Sequence, residues 1–200
     1  TNLLKLIMLK KIKYIFLISL FFILSNCDQV TQSKNNSNSV IVVKVFSSLT
    51  CPHCADFHGA IYDKLKDEYI SIGKVKFKHY AFPLDLAALN AEKILQCSVE
   101  SQTNMNFLTE IYRKQNKWTV GSDIKIINES LKKIGKEFNL TKDQMNKCLA
   151  DRNLEEKILN ERIEAQKKYR VKSTPTIYLD KKKYEGKRDY KSFKKAIDKL

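Results

Sequence analysis

The sequence predicts an α/β domain interrupted by a block of helices, and three observations predict it. An apolar run, Val40-Ile41-Val42-Val43, opens a strand that gives way to helical spacing after residue 54. A strand–turn–strand pattern follows Pro175 near the C-terminus. Between them, from about Asp85 to Tyr169, apolar residues recur at helical spacing only.

Each element has its own reason. Val40 to Ser47 is continuously apolar at its start, as a strand covered on both faces requires. The helix from Ala55 to about Tyr69 sets Phe57, Ile61 and Leu65 along one stripe. Lys74 to Ala81 alternates, with Val75, Phe77 and His79 on one side and Lys76 and Lys78 on the other. Such a strand–helix–strand unit crosses over right-handedly to a parallel neighbour. Asp85 then caps a helix bearing Ala87, Ala91 and Leu95. Phe107, Leu108, Ile111 and Tyr112 mark a second helix, ending near Trp118, and Ile124, Ile127, Leu131 and Ile134 a third. Thr141-x-x-Gln144 is a capping box for a fourth. Leu154, Ile158, Ala165 and Tyr169 mark a long fifth. Thr176-Ile177-Tyr178-Leu179 is a strand. Asp180-Lys181-Lys182 turns, Lys183-Tyr184-Glu185 begins a return strand that Gly186 ends, and Ser192 to Leu200 closes the chain as a helix with Phe193 and Ile197 on one face. Residues 40–200 therefore read as one domain, with a helical insertion at about 85–170.

Cys51-Pro52-His53-Cys54 lies at the turn from the first strand into its helix. The first thiol of such a pair sits at a helix N-terminus, where unpaired N–H groups favour a negative sulfur. The pair can pass a disulfide to another protein through a mixed-disulfide intermediate. A structural disulfide and half of a zinc site are the competing readings. Zinc needs about four ligands at compact spacing, and neither a second Cys-x-x-Cys nor His58 and His79 supply them, so no metal is expected. In the redox reading Cys51 is attacked by a substrate thiolate and Cys54 resolves. His53 either helps to hold Cys51 as thiolate or is an exposed turn residue. A stable thiolate leaves well and makes the oxidised pair a strong oxidant. The chemistry needs no cofactor.

Lys5, Lys10, Lys11 and Lys13 precede the apolar run Tyr14 to Leu24, a basic segment followed by a short hydrophobic one. A spanning helix needs about 20 apolar residues, so residues 1–26 read as a secretory signal peptide, the alternative being an uncleaved anchor. Either exports the rest, to where disulfides persist. Leu24-Ser25-Asn26-Cys27 resembles a bacterial lipobox, apart from Asn26, where a small residue is usual. Cys27 is thus a candidate lipidation site and membrane tether; otherwise it belongs to the leader. Asp28 resembles an inner-membrane retention signal. Residues 27–39 are polar and rich in Ser, Asn and Gln, as a flexible tether is. Localisation is expected to be periplasmic, with or without the lipid anchor. The net charge is +15, from 37 basic and 22 acidic residues. Without the four leader lysines, 33 remain against 22, or +11. These are spread along the chain, so a solvated basic surface is expected rather than a nucleic-acid interface, with attraction to anionic lipid as a secondary effect.

Several segments together resemble the bacterial DsbA family of thiol–disulfide oxidoreductases. Phe46-Ser47-Ser48-Leu49-Thr50-Cys51-Pro52-His53-Cys54 is similar to its active-site strand and turn. Phe82-Pro83-Leu84-Asp85 resembles the start of its helical insertion. Ser173-Thr174-Pro175-Thr176 resembles its cis-proline loop, and Tyr184-x-Gly186-x-x-x-Tyr190 its C-terminal hairpin and helix start. The resemblance covers about Val40 to Leu200 and implies a thioredoxin-like fold with an inserted helical domain. It implies a cis bond before Pro175, with Thr174 and Pro175 binding substrate beside the active site; the alternative is an ordinary trans turn. It also implies, from a subgroup with a second disulfide, that Cys97 and Cys148 pair rather than remain free thiols. Lys44 departs from the family, which often carries an acid there; a lysine either stabilises a thiolate or faces solvent.

The function expected is that of an exported oxidase donating disulfides to reduced, unfolded secreted proteins and reoxidised by a DsbB-like, quinone-linked membrane partner. An isomerase or reductase is the alternative within the class. Dimeric isomerases carry an N-terminal dimerisation domain, for which the chain before Ser39 leaves no room, so a monomer is expected. A non-catalytic thiol adaptor for copper delivery or cytochrome maturation is the alternative outside it; the insertion from Asp85 to Tyr169 argues against that.

Overall fold

In a computed structural model, which describes residues 40–97 and 101–200, β1 (Ile41–Ser47) is the most heavily bonded strand. The leader, Cys27 and the tether lie outside the described residues. β1 runs parallel to β2 (Val75–Ala81), pairing Ile41 with Val75 and Ser47 with Ala81. On its other edge it runs antiparallel to β3 (Thr176–Leu179), pairing Phe46 with Thr176. A short β4 (Lys182–Lys183) completes the order β2-β1-β3-β4. Val43 and Val45 are buried, as the apolar run demands of a strand covered on both sides.

Helix α1 spans residues 52–70 and alternates between α-helical turns (Pro52–Phe57 and Asp63–Leu65) and π turns (His58–Tyr62 and Lys66–Ile70). Pro52 occupies its first turn, where a missing N–H leaves no helical bond unmade. Phe57, Ile61 and Leu65 are buried against Val43, Val45 and Phe193. Phe193 lies on α8 (Tyr190–Ile197), capped by the Asp189 carboxylate, which accepts from the Ser192 amide. Across the sheet, Phe46 packs with Phe82, Ala165, Val171 and three tyrosines. Ala165 belongs to α7 (Arg152–Tyr169).

Between β2 and α7 lie α2 (Leu86–Gln96), α3 (Ser101–Arg113), α4 (Gln115–Trp118), α5 (Ile124–Glu137) and α6 (Lys142–Ala150). Asp85 caps α2 by accepting from the Ala88 amide, and Thr141 and Gln144 form the reciprocal capping box of α6. Ile94, Phe107, Leu108, Ile111, Trp118, Leu131 and Met145 form the core of this block. Leu49, Cys51 and Cys54 are buried in the same cluster, so the cysteine pair sits at the seam between sheet and insertion.

Several boundaries differ from the sequence reading, the first helix already starting at Pro52 rather than Ala55. The return strand starts at Lys182 and ends at Lys183, because Asp180 takes a left-handed φ of 54° and tightens the turn by a residue. Tyr184 adds one more bond, from its amide to the Ile177 carbonyl at 2.9 Å. The last helix begins at Tyr190 and stops at Ile197, since the cap at Asp189 sets its start. The helix expected to run on to Trp118 breaks at Lys114, whose φ of −98° and ψ of 11° are not helical. None of the described helices is long and apolar enough to cross a membrane.

Candidate active site

β1 ends at Ser47, and Ser48-Leu49-Thr50 carries the chain into α1. Cys51 is the N-cap of that helix, with extended φ and ψ, and its carbonyl accepts from the Cys54 and Ala55 amides at 3.0 and 3.2 Å. Its amide donates to the Ser48 carbonyl at 3.1 Å. This geometry places the Cys51 side chain at the positive end of the helix. Cys54 follows one turn deeper. Both are free thiols, 8% and 2% exposed respectively. Burial pushes the Cys54 thiol up to about 12, against the opposing effect of a backbone hydrogen bond from Ser48. The two sulfurs are therefore unequal: one at a helix terminus near the surface, one held as a thiol beneath it.

The loop opposite is supplied by the other half of the chain. The Thr174–Pro175 peptide is cis, and the Cys51 Sγ–H donates to the Thr174 carbonyl at 3.6 Å. The structure thus brings Cys51, Cys54, Thr174 and Pro175 together. Thr174 Oγ1 is buried without a hydrogen-bond partner, on the side where it favours the Cys54 anion. Beside Pro175 opens a cavity of about 180 Å³ lined in part by Thr176, Tyr184 and Arg188.

His53 turns outward. Its ring is 75% exposed and 3.9 Å from the Asp56 carboxylate. Among the described residues no hydrogen bond joins it to Cys51, which favours the exposed-turn reading. Lys44 does not reach the cysteines either: its ammonium donates to the Asp180 carbonyl at 2.7 Å and lies 5.8 Å from the Tyr169 ring centroid. Cys97 and Cys148 form a disulfide with Cα atoms 6.0 Å apart, joining the end of α2 to the last turn of α6. Among the described residues no three His, Cys, Asp or Glu side chains cluster to hold a metal ion.

Sequence reading missed several residues at the site. Gln115 reaches from α4 and donates to the Leu49 carbonyl at 2.8 Å and the Cys51 carbonyl at 3.1 Å, fixing the loop from the insertion side. Thr50 donates to Asp85 at 2.7 Å, so the cap of α2 also holds that loop. Ser47, His79, Glu92 and Tyr112 form a hydrogen-bonded polar row, buried except for the half-buried His79. Two of these carried a signal: His79 falls on the Val75–Phe77 side of its strand, and Glu92 falls one turn from Ala88 on the buried side of α2.

A family model described as thioredoxin matches residues 34–199. A protein of Rickettsia bellii, named as a candidate protein-disulfide oxidoreductase, is 30% identical over 82% of this chain. The chain spans 62% of that relative's length. A candidate disulfide bond formation protein D of Bacillus cereus is 31% identical over 84% of this chain and 77% of its own. The crystal structure of Wolbachia pipientis alpha-DsbA1 superposes with a TM-score of 0.72 at 30% identity, covering 80% of this chain and 85% of that one. The match across the sheet, the insertion and the cysteine turn makes this chain a member of the thioredoxin family, in its DsbA-like branch.

Proposed function

We propose that this protein is an exported thiol:disulfide oxidase that donates the Cys51–Cys54 disulfide to reduced, unfolded secreted proteins. One observation carries the reading: the two sulfurs differ in environment, Cys51 at the helix N-terminus against Thr174, Cys54 buried and pushed up to about 12. A substrate thiolate attacks Cys51 Sγ, the Cys51–Cys54 bond breaks, and a mixed disulfide forms on Cys51. A second substrate thiolate attacks the substrate sulfur of that disulfide, and Cys51 leaves as a thiolate that the helix terminus stabilises. Pro52 fixes the first turn, and Cys54 resolves the mixed disulfide with the reoxidising partner. The Thr174 carbonyl, which accepts from Cys51 in the reduced form, is free to pair with an extended substrate segment once that thiol is engaged. Cys97–Cys148 braces the insertion without entering the chemistry.

The basic, apolar leader of residues 1–26 supports export to the periplasm, and Cys27 supports a lipid anchor followed by the tether of residues 27–39. The reoxidising partner is a DsbB-like, quinone-linked membrane protein. Two measurements test the assignment. Purified protein should oxidise a reduced, unfolded substrate, and Cys51→Ser should abolish this. In intact cells the Cys51–Cys54 pair should be mainly oxidised. A mainly reduced pair would convert the reading to an isomerase or reductase, and tight copper binding at the pair without oxidase activity would convert it to an adaptor.

A further inference from the structure

Arg188 lies on the strip of chain between β4 and α8, and the fold holds that strip against the cis-proline loop. The Tyr184 ring meets Phe193 edge-on at 5.1 Å between centroids, and Phe193 is fully buried. The Tyr184 hydroxyl donates to the Lys187 carbonyl at 2.6 Å, so the chain folds back over its own ring. Gly186 stands where it crosses. A Cβ there would lie 2.6 Å from the Tyr184 hydroxyl oxygen, closer than a side chain tolerates. Two residues on, the Arg188 Nη2 donates to the Pro175 carbonyl at 3.4 Å. A core aromatic, a tight crossing and a bond to the active-site loop together set where this guanidinium sits.

Arg188 is one wall of the cavity of about 180 Å³ beside Pro175, whose other walls include Ser173, Thr176, Lys183 and Glu185. The charges of this cavity do not balance. Glu185, the one acid among its described lining residues, lies 3.5 Å from Lys183. Among the described residues Arg188 has no carboxylate partner. A guanidinium carries five N–H donors in a planar fork that matches a carboxylate, and Pro175 takes one of them. The others face a hollow with no acid of its own to meet them. The hollow also lies where a substrate chain passes. Cys51 Sγ is 3.6 Å from the Thr174 carbonyl, and Ser173 and Pro175, on either side of Thr174, both line the cavity. An extended segment advances about 3.3 Å per residue and turns alternate side chains to opposite faces.

We propose that Arg188 is a specificity-determining residue, and that the cavity beside Pro175 takes an acidic side chain lying within about three residues of the substrate cysteine. This rests on the thiol–disulfide exchange proposed above and names its substrate class: reduced segments with Asp or Glu close to the reacting cysteine. Arg188 meets the carboxylate with two parallel N–H groups, the geometry that makes such pairs strong and directional. Its bond to the Pro175 carbonyl keeps the fork in register with Thr174, where the substrate backbone pairs. The acid sits beside the mixed disulfide and takes no part in bond making or breaking. The wider basic surface draws any anion from a distance, with little regard to its place in the substrate. The cavity instead acts at one position, because the side chains next to it in an extended segment face away.

The test uses the oxidised full chain and short reduced peptides, capped at both ends, with a central cysteine. One Glu is moved through every other position, and each peptide has a Gln twin. The rate of reduction of the protein is read by acid quench, alkylation and mass spectrometry. A nearby acid also alters the peptide's own thiol, so each Glu-to-Gln rate ratio is divided by the ratio for a small neutral disulfide. At one position close to the cysteine the corrected ratio should reach about fivefold, the upper end for a partly exposed charge pair, and elsewhere stay near one. Arg188→Gln should bring it to one, and Arg188→Lys should lower it, since an ammonium lacks the planar pair of donors. Lys191→Gln, which removes an exposed charge of α8 outside the cavity, should leave it unchanged. A ratio that is flat along the peptide means attraction to the basic surface alone and overturns the pocket. A position-dependent ratio that Arg188→Gln leaves unchanged overturns it too, and should that variant not fold, Arg188→Lys decides in the same way. If the wild-type chain is reduced by none of the peptides, the oxidase reading falls and takes the pocket with it. If all the peptides reduce it at equal corrected rates, the pocket alone falls.

Discussion

His58 lies 4% exposed, its ring stacked on Tyr62 at 4.5 Å and 5.1 Å from Tyr112, with Nε2 bonded to Thr109 at 2.9 Å. Burial lowers its pKa to about 3, with the charge of His79 a smaller contribution in the same direction. The unfolded chain protonates this histidine near its ordinary value of 6.5, whereas the folded chain does not until about pH 3. Between these values the unfolded state binds more protons, so stability rises with pH and is lost as the solution is acidified. At about 1.4 kcal/mol per pH unit, His58 alone should remove about 2 kcal/mol between pH 7 and pH 5. His58→Phe keeps the stack and removes the titration. Urea unfolding at the two pH values should therefore show a flatter dependence in the variant. An equal loss in both proteins would assign the acid sensitivity to other groups. The same enclosure keeps His58 out of metal or acid–base chemistry at neutral pH, which the spacing of histidines in the sequence could not decide.

At the scale of elements, what was legible was what repeats. The strand that opens the domain, the stripe on α1, the caps at Asp85 and Thr141, and the helical run from α2 to α7 all express a local period or a cap, and local rules fix them. The break at Lys114 was not legible, because it follows from where Gln115 is needed: its amide must reach two carbonyls of the loop after β1, 66 and 64 residues earlier in the chain. Nor was the row from Tyr112 to Glu92, whose members come from four separate elements. Contacts of that range depend on how the insertion docks, which no window of sequence contains. The docking is braced by Cys97–Cys148, which ties α2 to α6 over a separation of 51 residues. Removing the pair as Cys97→Ala/Cys148→Ala frees the unfolded chain of that loop and should cost on the order of 2–4 kcal/mol. The cysteine turn is held by Gln115, Thr50 and Asp85 rather than by this bond, so single-turnover oxidation should keep its wild-type rate. An equal denaturant midpoint with and without the bond would mean that packing of the insertion core alone sets its stability. A lost activity in a folded variant would mean that the bond reaches the active site after all.

For the whole molecule, folding and redox chemistry are coupled through one cycle. The Cys51–Cys54 disulfide can be reduced in the folded or the unfolded chain, and the folded form can unfold oxidised or reduced; the four free energies must sum to zero. In the folded chain Cys51 caps the N-terminus of α1, whereas burial holds Cys54 as a thiol, its pKa pushed up to about 12 against the opposing Ser48 backbone bond. The unfolded chain has neither. If the folded protein is a strong oxidant, its reduced form must then be the more stable one, contrary to the usual effect of a disulfide. The difference scales as about 1.4 kcal/mol for each 30 mV that the folded pair is more oxidising than the unfolded pair. Reductant would also open Cys97–Cys148 and hide the effect, so the measurement belongs in the Cys97→Ala/Cys148→Ala background. There, urea unfolding with the active-site pair reduced should have a midpoint above that of the oxidised protein, by on the order of 1–3 kcal/mol in stability. An oxidised form as stable as the reduced one would leave the fold intact and remove the driving force for disulfide donation, and the pair would then act as a reductant or isomerase.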